Sequence, residues 1–301
     1  MSHQLPTRLV AQIVQAQFPS LAPADVVHLG EGCDSEAFEV NGQWVFRFPK
    51  RAEIERQLAA ESCILSALAE QAPLPIPRFS FHGQPSPLFG RHFAGYPKLP
   101  GVPAIHFGPD SLPLLELAPA LGRFLEFLHS FPIETAARCG VPEQRIEALA
   151  DEVRADALDD FHLVAEIAPE ASVKWRSYLE AGFAELGPAR PTPVLVHNDF
   201  AAEHILYDAA TQTVSGIIDW TDIALSDPAA DFSGVLHWGG EPFLDTVLSS
   251  YAGHVDERSL RYARYLAACR GVADVAFGLQ TQRGEYISAG LRALRLCAGS
   301  W

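Results

Sequence analysis

The sequence predicts an α+β protein built as two lobes, a small β-rich lobe followed by a larger α-helical one. Three observations carry this. The first hundred residues hold short apolar runs broken by glycine turns, including the strong hairpin signal Asn41-Gly42. The segment Pro97-Lys98-Leu99-Pro100-Gly101 is punctuated as a linker. Beyond it, apolar residues recur at helical rather than strand spacing. The expected division is residues 1–96 for the sheet lobe and 97–301 for the helical lobe, with a cleft between them.

Taken in order, residues 1 to 21 place Leu9, Val10, Ile13, Val14 and Phe18 on one helical face. Val26-Val27-His28-Leu29 and Ala37-Phe38-Glu39-Val40 read as strands around a glycine-containing turn. Trp44-Val45-Phe46-Arg47-Phe48 is the strand returning after the hairpin. A helix is expected over 52 to 70, closed by Pro73 to Pro77. Phe79 to Phe81 and His92 to Tyr96 read as two further strands. In the second part, Leu117, Leu121, Phe124, Leu125 and Leu128 mark a helix over 114 to 129, and two or three amphipathic helices fit 143 to 186. Short strands surround residue 199, and helices are expected to resume at Pro242.

Composition narrows the function. The formal charge of −15 argues against a nucleic-acid partner, which would want clustered Lys and Arg, and suits a cationic ligand. Acidity also serves plain solubility. No run of about 18 apolar residues is present, so no membrane span is expected, and the N-terminus has no export signal. The five cysteines (Cys33, Cys63, Cys139, Cys269, Cys297) are scattered without C-x-x-C spacing. They read as reduced, mostly buried thiols of a cytoplasmic protein, expected to be a monomer.

The segment His197-Asn198-Asp199-Phe200 continuing to His204-Ile205-Leu206, followed by Ile218-Asp219-Trp220-Thr221, carries the chemistry. Transfer of a phosphoryl group to a hydroxyl needs one carboxylate to orient the acceptor and two further ligands to hold magnesium against nucleotide phosphates. Asp199 fits the first role, and His204 and Asp219 fit the second. A nitrogen ligand is unusual for a hard cation, so His204 alone would not indicate metal. Upstream, Gly30-Glu31-Gly32-Cys33-Asp34-Ser35 can bring backbone N–H groups and the Ser35 hydroxyl to phosphate oxygens, although glycines in a hairpin are also common as simple turns. Arg47 stands where a phosphate-holding lysine is expected on the third strand, with Glu61 on the following helix as its partner. Lys50 is the competing cation.

Together these residues resemble the aminoglycoside phosphotransferase family of antibiotic kinases, which share a protein-kinase-like bilobal fold. The catalytic block is similar to the aminoglycoside 2″-phosphotransferases. Ile218-Asp219-Trp220-Thr221 with Ser226-Asp227-Pro228 is closer to the macrolide 2′-phosphotransferases. The resemblance implies Asp199 as catalytic base, His204 and Asp219 as Mg2+ ligands, and ATP or GTP as donor. It further implies Gly32, Ser35, Arg47 and Glu61 around the phosphates, Tyr96, Lys98 and Leu99 in the hinge at the purine, and Asp231 bracing the catalytic loop. Bulk at Tyr96 would favour guanine over adenine.

The acceptor is the open question. Carboxylates suited to ammonium groups follow the metal block, with Asp222, Glu241 and Asp274 foremost among Asp245, Asp256 and Glu257. Leu236-His237-Trp238-Gly239-Gly240 and Val275-Ala276-Phe277 offer an apolar wall that a macrolide would prefer. An aminoglycoside leads, with a macrolide or a choline- or homoserine-like metabolite as alternatives. A nucleotide-binding pseudokinase scaffold is the non-enzymatic reading.

Overall fold

The computed structural model describes residues 4–31, 34–107, 112–182 and 193–297. Gly32 and Cys33 therefore lie outside the described residues, as do 1–3 and 183–186 of the expected helices.

Five strands form the first lobe: β1 (Val26–Glu31), β2 (Ser35–Val40), β3 (Trp44–Pro49), β4 (Phe81–Gly83) and β5 (Phe93–Pro97). Their order is β1-β2-β3-β5-β4, with every neighbouring pair antiparallel. Asn41 and Gly42 turn the β2–β3 hairpin with φ of 55° and 66°, a region their residue types tolerate. Alternation along β3 then sends Phe46 and Phe48 to one face and Arg47 to the other. The phenylalanine face packs Phe38, Phe46, Phe48, Phe89 and Phe93 against Val10, Ile13 and Val14 of α1 (Thr7–Gln17). Phe48 and Phe93 stack at 4.6 Å, and burying each ring is worth about 2 kcal/mol. Helix α1 is shorter than its apolar spacing suggests, because Pro6 sets its start and Phe18 leaves helical geometry.

Helix α2 (Ala52–Leu68) follows β3 in sequence, but its Ile64, Leu65 and Leu68 belong to the core of the second lobe. A disulfide from Cys63 to Cys139 joins it to that lobe, with Cα atoms 5.5 Å apart. This corrects the expectation of uniformly reduced thiols. The two partners are 76 residues apart, a separation at which sequence carries no pairing signal. Cys269 and Cys297 are free and buried, as expected.

The second lobe comprises α3 (Leu114–His129), α4 (Ile133–Arg138), α5 (Ile146–Ile167), α6 (Pro169–Ala181), α7 (Ala229–Leu248), α8 (Glu257–Thr281) and α9 (Gly284–Cys297). Short strands interrupt the helices. A two-residue strand β6 (Val102–Pro103) borders the hairpin of β8 (Ile205–Asp208) and β9 (Thr213–Ile217), while β7 (Val194–Val196) pairs with β10 (Ala224–Ser226). Helix α7 begins at Ala229, not at Pro242 as expected. Its first turns are buried almost all round, so no amphipathic stripe announces them. Pro242 sits inside the helix beside a kink at Gly240, whose φ is 70°. Among the described residues, no helix is long and apolar enough to cross a membrane.

The Cys63–Cys139 bridge closes a long loop, so its removal should free much chain entropy in the unfolded state. Reduction is expected to lower the melting temperature by several degrees in calorimetry. A Cys63→Ser, Cys139→Ser variant should start at that lower value and not respond to reductant.

Candidate active site

Strand β7 delivers the chain into His197-Asn198-Asp199, and β8 takes it away after His204. The turn is held from below by Asp231 of α7, which is fully buried. Its carboxylate accepts the backbone N–H groups of His197 at 3.0 Å and Asn198 at 2.8 Å. It also meets His129 Nε2 at 3.0 Å, and the other ring nitrogen of His129 lies 2.9 Å from the Tyr251 hydroxyl. These contacts support a left-handed backbone at Asn198, φ 69°. At Gly234, a Cβ would come within 1.7 Å of the Phe200 carbonyl oxygen, so α7 can approach the loop only with glycine there. His197 is buried, and burial lowers its pKa, keeping the ring neutral. Its Nε2 donates to the Ile218 carbonyl at 3.0 Å, leaving Nδ1 to accept the Asp199 N–H at 3.3 Å. The imidazole thus ties the Asp199 turn to the strand end that leads into Asp219.

Asp199, His204 and Asp219 converge. His204 Nδ1 lies 3.0 Å from the Asp199 carbonyl oxygen and 3.2 Å from Asp199 Oδ2, while its Nε2 is 3.8 Å from Asp219 Oδ2. Asp219 also adopts the left-handed region, φ 59°, which Asp tolerates better than most residues. With Nδ1–H satisfied by the Asp199 carbonyl, the Nε2 lone pair can face a cation beside Asp219, the orientation that a metal-bound imidazole needs. No group of three or more potential metal-holding residues occurs among the described residues. A cation beside His204 and Asp219 would draw the rest of its shell from phosphate and water. Burial works to lower the His204 pKa, but Asp199, Asp219 and Glu203 raise it to about 10. A metal ion would thus bind with release of that proton.

On the sheet side, Arg47 is buried and its Nη1 meets Glu61 Oε1 at 2.7 Å. Its Nη2 bonds the Thr221 hydroxyl and lies 3.3 Å from Asp219 Oδ1. The guanidinium therefore spans β3, α2 and the Asp219 turn. Burial works against the Arg47 charge, but Glu61 and Asp219 outweigh it. Burial pushes Glu61 up to about 7 against the pull of Arg47. The ion pair is consequently strongest above neutral pH. Tyr96 is buried against Phe79 and close to Arg47 and Glu61. Ser35 is half-buried at the start of β2, where Asp34 is paired with Arg51. Glu36 is turned away and accepts the Leu5 N–H at 3.0 Å. Lys98 directs its ammonium to Glu39 and donates its backbone N–H to the Gln43 carbonyl. Leu99 packs over Gly216 of β9.

The three carboxylates expected on the acceptor side have different surroundings. Asp222 is exposed; desolvation by neighbouring protein, then the charges of Asp199 and Asp219, push its carboxyl up to about 6. Asp274 is buried, 3.0 Å from His237 Nε2. Glu241 is held in a two-point pair with Arg264. Two residues absent from the sequence reading complete the site. Arg270 of α8 meets Asp199 Oδ1 at 2.6 Å and Glu203 Oε1 at 2.5 Å. No local motif announces Arg270, which lies 71 residues from Asp199 on a helix.

A sheet lobe, a helical lobe and two loops presenting Asp199, His204 and Asp219 define a protein-kinase-like phosphotransferase. The model of the phosphotransferase enzyme family (APH) matches residues 25–265, and the chain belongs to that family. It is 27% identical over 258 residues to viomycin phosphotransferase of Streptomyces vinaceus, covering 83% of this chain and 82% of that protein. The solved GDP and kanamycin complex of APH(2″)-IIIa superposes with a TM-score of 0.73 at 30% identity, covering 97% and 98% of the two chains. The macrolide 2′-phosphotransferase MphH of Brachybacterium faecium shares the fold, with a TM-score of 0.62 at 21% identity over 96% and 97%.

Asp231→Ala would strip the Asp199 turn of its buried acceptor and leave the N–H groups of His197 and Asn198 unpaired. Each buried orphan costs about 1–3 kcal/mol. The melting temperature is expected to fall by on the order of 10 °C in calorimetry.

Proposed function

We propose that this enzyme transfers the γ-phosphoryl group of ATP or GTP to a hydroxyl of a small cationic antibiotic, with an aminoglycoside as the preferred acceptor. The observation that carries this reading is the convergence of Asp199, His204 and Asp219, with Arg47 reaching the same turn from the sheet. Mg2+ held by His204 and Asp219 would neutralise charge on the donor phosphates. Arg47, fixed by Glu61, binds phosphate oxygens through its fork of donors. Ser35 contributes a further donor, and the Tyr96 to Leu99 strand end borders the purine. Asp199 accepts the hydrogen of the incoming hydroxyl and aims its oxygen at the γ-phosphorus. Positioning and charge stabilisation account for most of the acceleration in such transfers. Asp222, exposed beside this group, is placed to receive an ammonium of the acceptor.

A macrolide is the second reading. It is favoured by Phe277, which is 41% exposed and packs edge-on to Tyr286 at 4.8 Å, an apolar platform on the helical lobe.

The deciding experiment incubates the protein with Mg2+ and ATP or GTP against aminoglycosides, macrolides and simple amino alcohols. Product mass should rise by one phosphate for an aminoglycoside; failure of every acceptor while nucleotide still binds would favour a scaffold. Asp199→Asn should lower kcat by about 1,000-fold without loss of nucleotide binding. Asp222→Asn should raise KM for a cationic acceptor roughly tenfold and leave kcat nearly unchanged.

A further inference from the structure

Arg270 grips two carboxylates of the catalytic loop at once. Nη1 takes Asp199 Oδ1 at 2.6 Å, and Nη2 takes Glu203 Oε1 at 2.5 Å. The other Asp199 oxygen, Oδ2, lies 3.2 Å from His204 Nδ1. Oδ1 of Asp199 therefore has a donor of its own from α8, while Oδ2 shares the His204 Nδ1 hydrogen with the Asp199 carbonyl oxygen at 3.0 Å. His197 and Asp231 hold only the backbone of this turn, so the carboxylate's direction depends on His204 and Arg270. Asp199 and Glu203 carry like charge four residues apart, and the guanidinium between them offsets their repulsion. A planar fork suits two acceptors at fixed angles, which an ammonium does not.

We propose that Arg270 is a positioning residue for phosphoryl transfer, clamping Asp199 through Glu203 so that the carboxylate points at the acceptor hydroxyl. This rests on Asp199 orienting that hydroxyl. Because Arg270 already neutralises Glu203, Glu203 is not an anchor for acceptor ammonium groups. That task is left to carboxylates outside the clamp, Asp222 first among them.

The test pairs kinetics with crystallography. Arg270→Gln leaves Glu203 uncompensated and could fail to fold, so the main variant is Arg270→Gln with Glu203→Gln, which removes one charge of each sign. Its kcat is expected to fall about 100-fold while the nucleotide KM changes by less than about twofold, as misplacement of a reacting group predicts. Arg270→Lys, with Glu203 retained, should hold kcat roughly tenfold above the double variant, since one of the two contacts survives. A crystal structure of the double variant should show the Asp199 carboxylate rotated from its direction here. A kcat within about threefold of wild type, or an unrotated Asp199, would overturn the proposal. The crystallographic arm needs no acceptor. A rotated carboxylate alongside a failed acceptor panel would therefore count against the proposed reaction and not against the clamp.

Discussion

The catalytic turn keeps its shape because a carboxylate with no solvent contact, Asp231, accepts two consecutive backbone N–H groups from it. Those donors would otherwise be unpaired in the interior, at a cost of about 1–3 kcal/mol each. The same carboxylate meets His129 of α3 and stands on α7, so three elements share one buried anion. The frame also holds the left-handed backbone at Asn198, a conformation that Asn tolerates. What lies above the frame can then be exposed and reactive, because what lies below is fixed.

Charge is arranged around this turn in two tiers. Arg47 reaches in from the sheet and ties Glu61 to the Asp219 loop, while Arg270 reaches in from α8 and ties Asp199 to Glu203. His204 stands between, with one ring nitrogen toward Asp199 and the other toward Asp219. Arg47 spans two carboxylates distant in the chain, and Arg270 two from the same loop. Bidentate geometry of this kind fixes direction as well as distance, which is what in-line transfer between oxygens demands.

The sheet lobe was legible because its signals are local. Asn41-Gly42 fixes the hairpin and with it the alternation that sends Phe46 inward and Arg47 to the cleft. The convergence of Asp199, His204 and Asp219 was legible because all three fall at the ends of short apolar runs close together in the chain. Features that depend on distant partners were not. Arg270 lies on a helix whose buried neighbours reveal nothing about which side chain faces Asp199. The start of α7 was hidden because Ala229 to Trp238 is buried on every side, its polar Asp231, Ser233 and His237 included. Glu241 and Asp274 have the right charge for an ammonium, yet the fold gives Glu241 to Arg264 and buries Asp274 beside His237. Composition shows how many acids a segment has and not which are already spoken for.

Helix α2 is encoded with the sheet but seated in the helical lobe, by Ile64, Leu65 and Leu68 and by the sulfur link from Cys63. Glu61, two positions before that link, is thereby held by the larger body, while Arg47 stands on the sheet. Arg47 meets Glu61 at 2.7 Å and, through its other nitrogen, the Thr221 hydroxyl and Asp219. One guanidinium therefore ties the small lobe to two separately anchored parts of the large one.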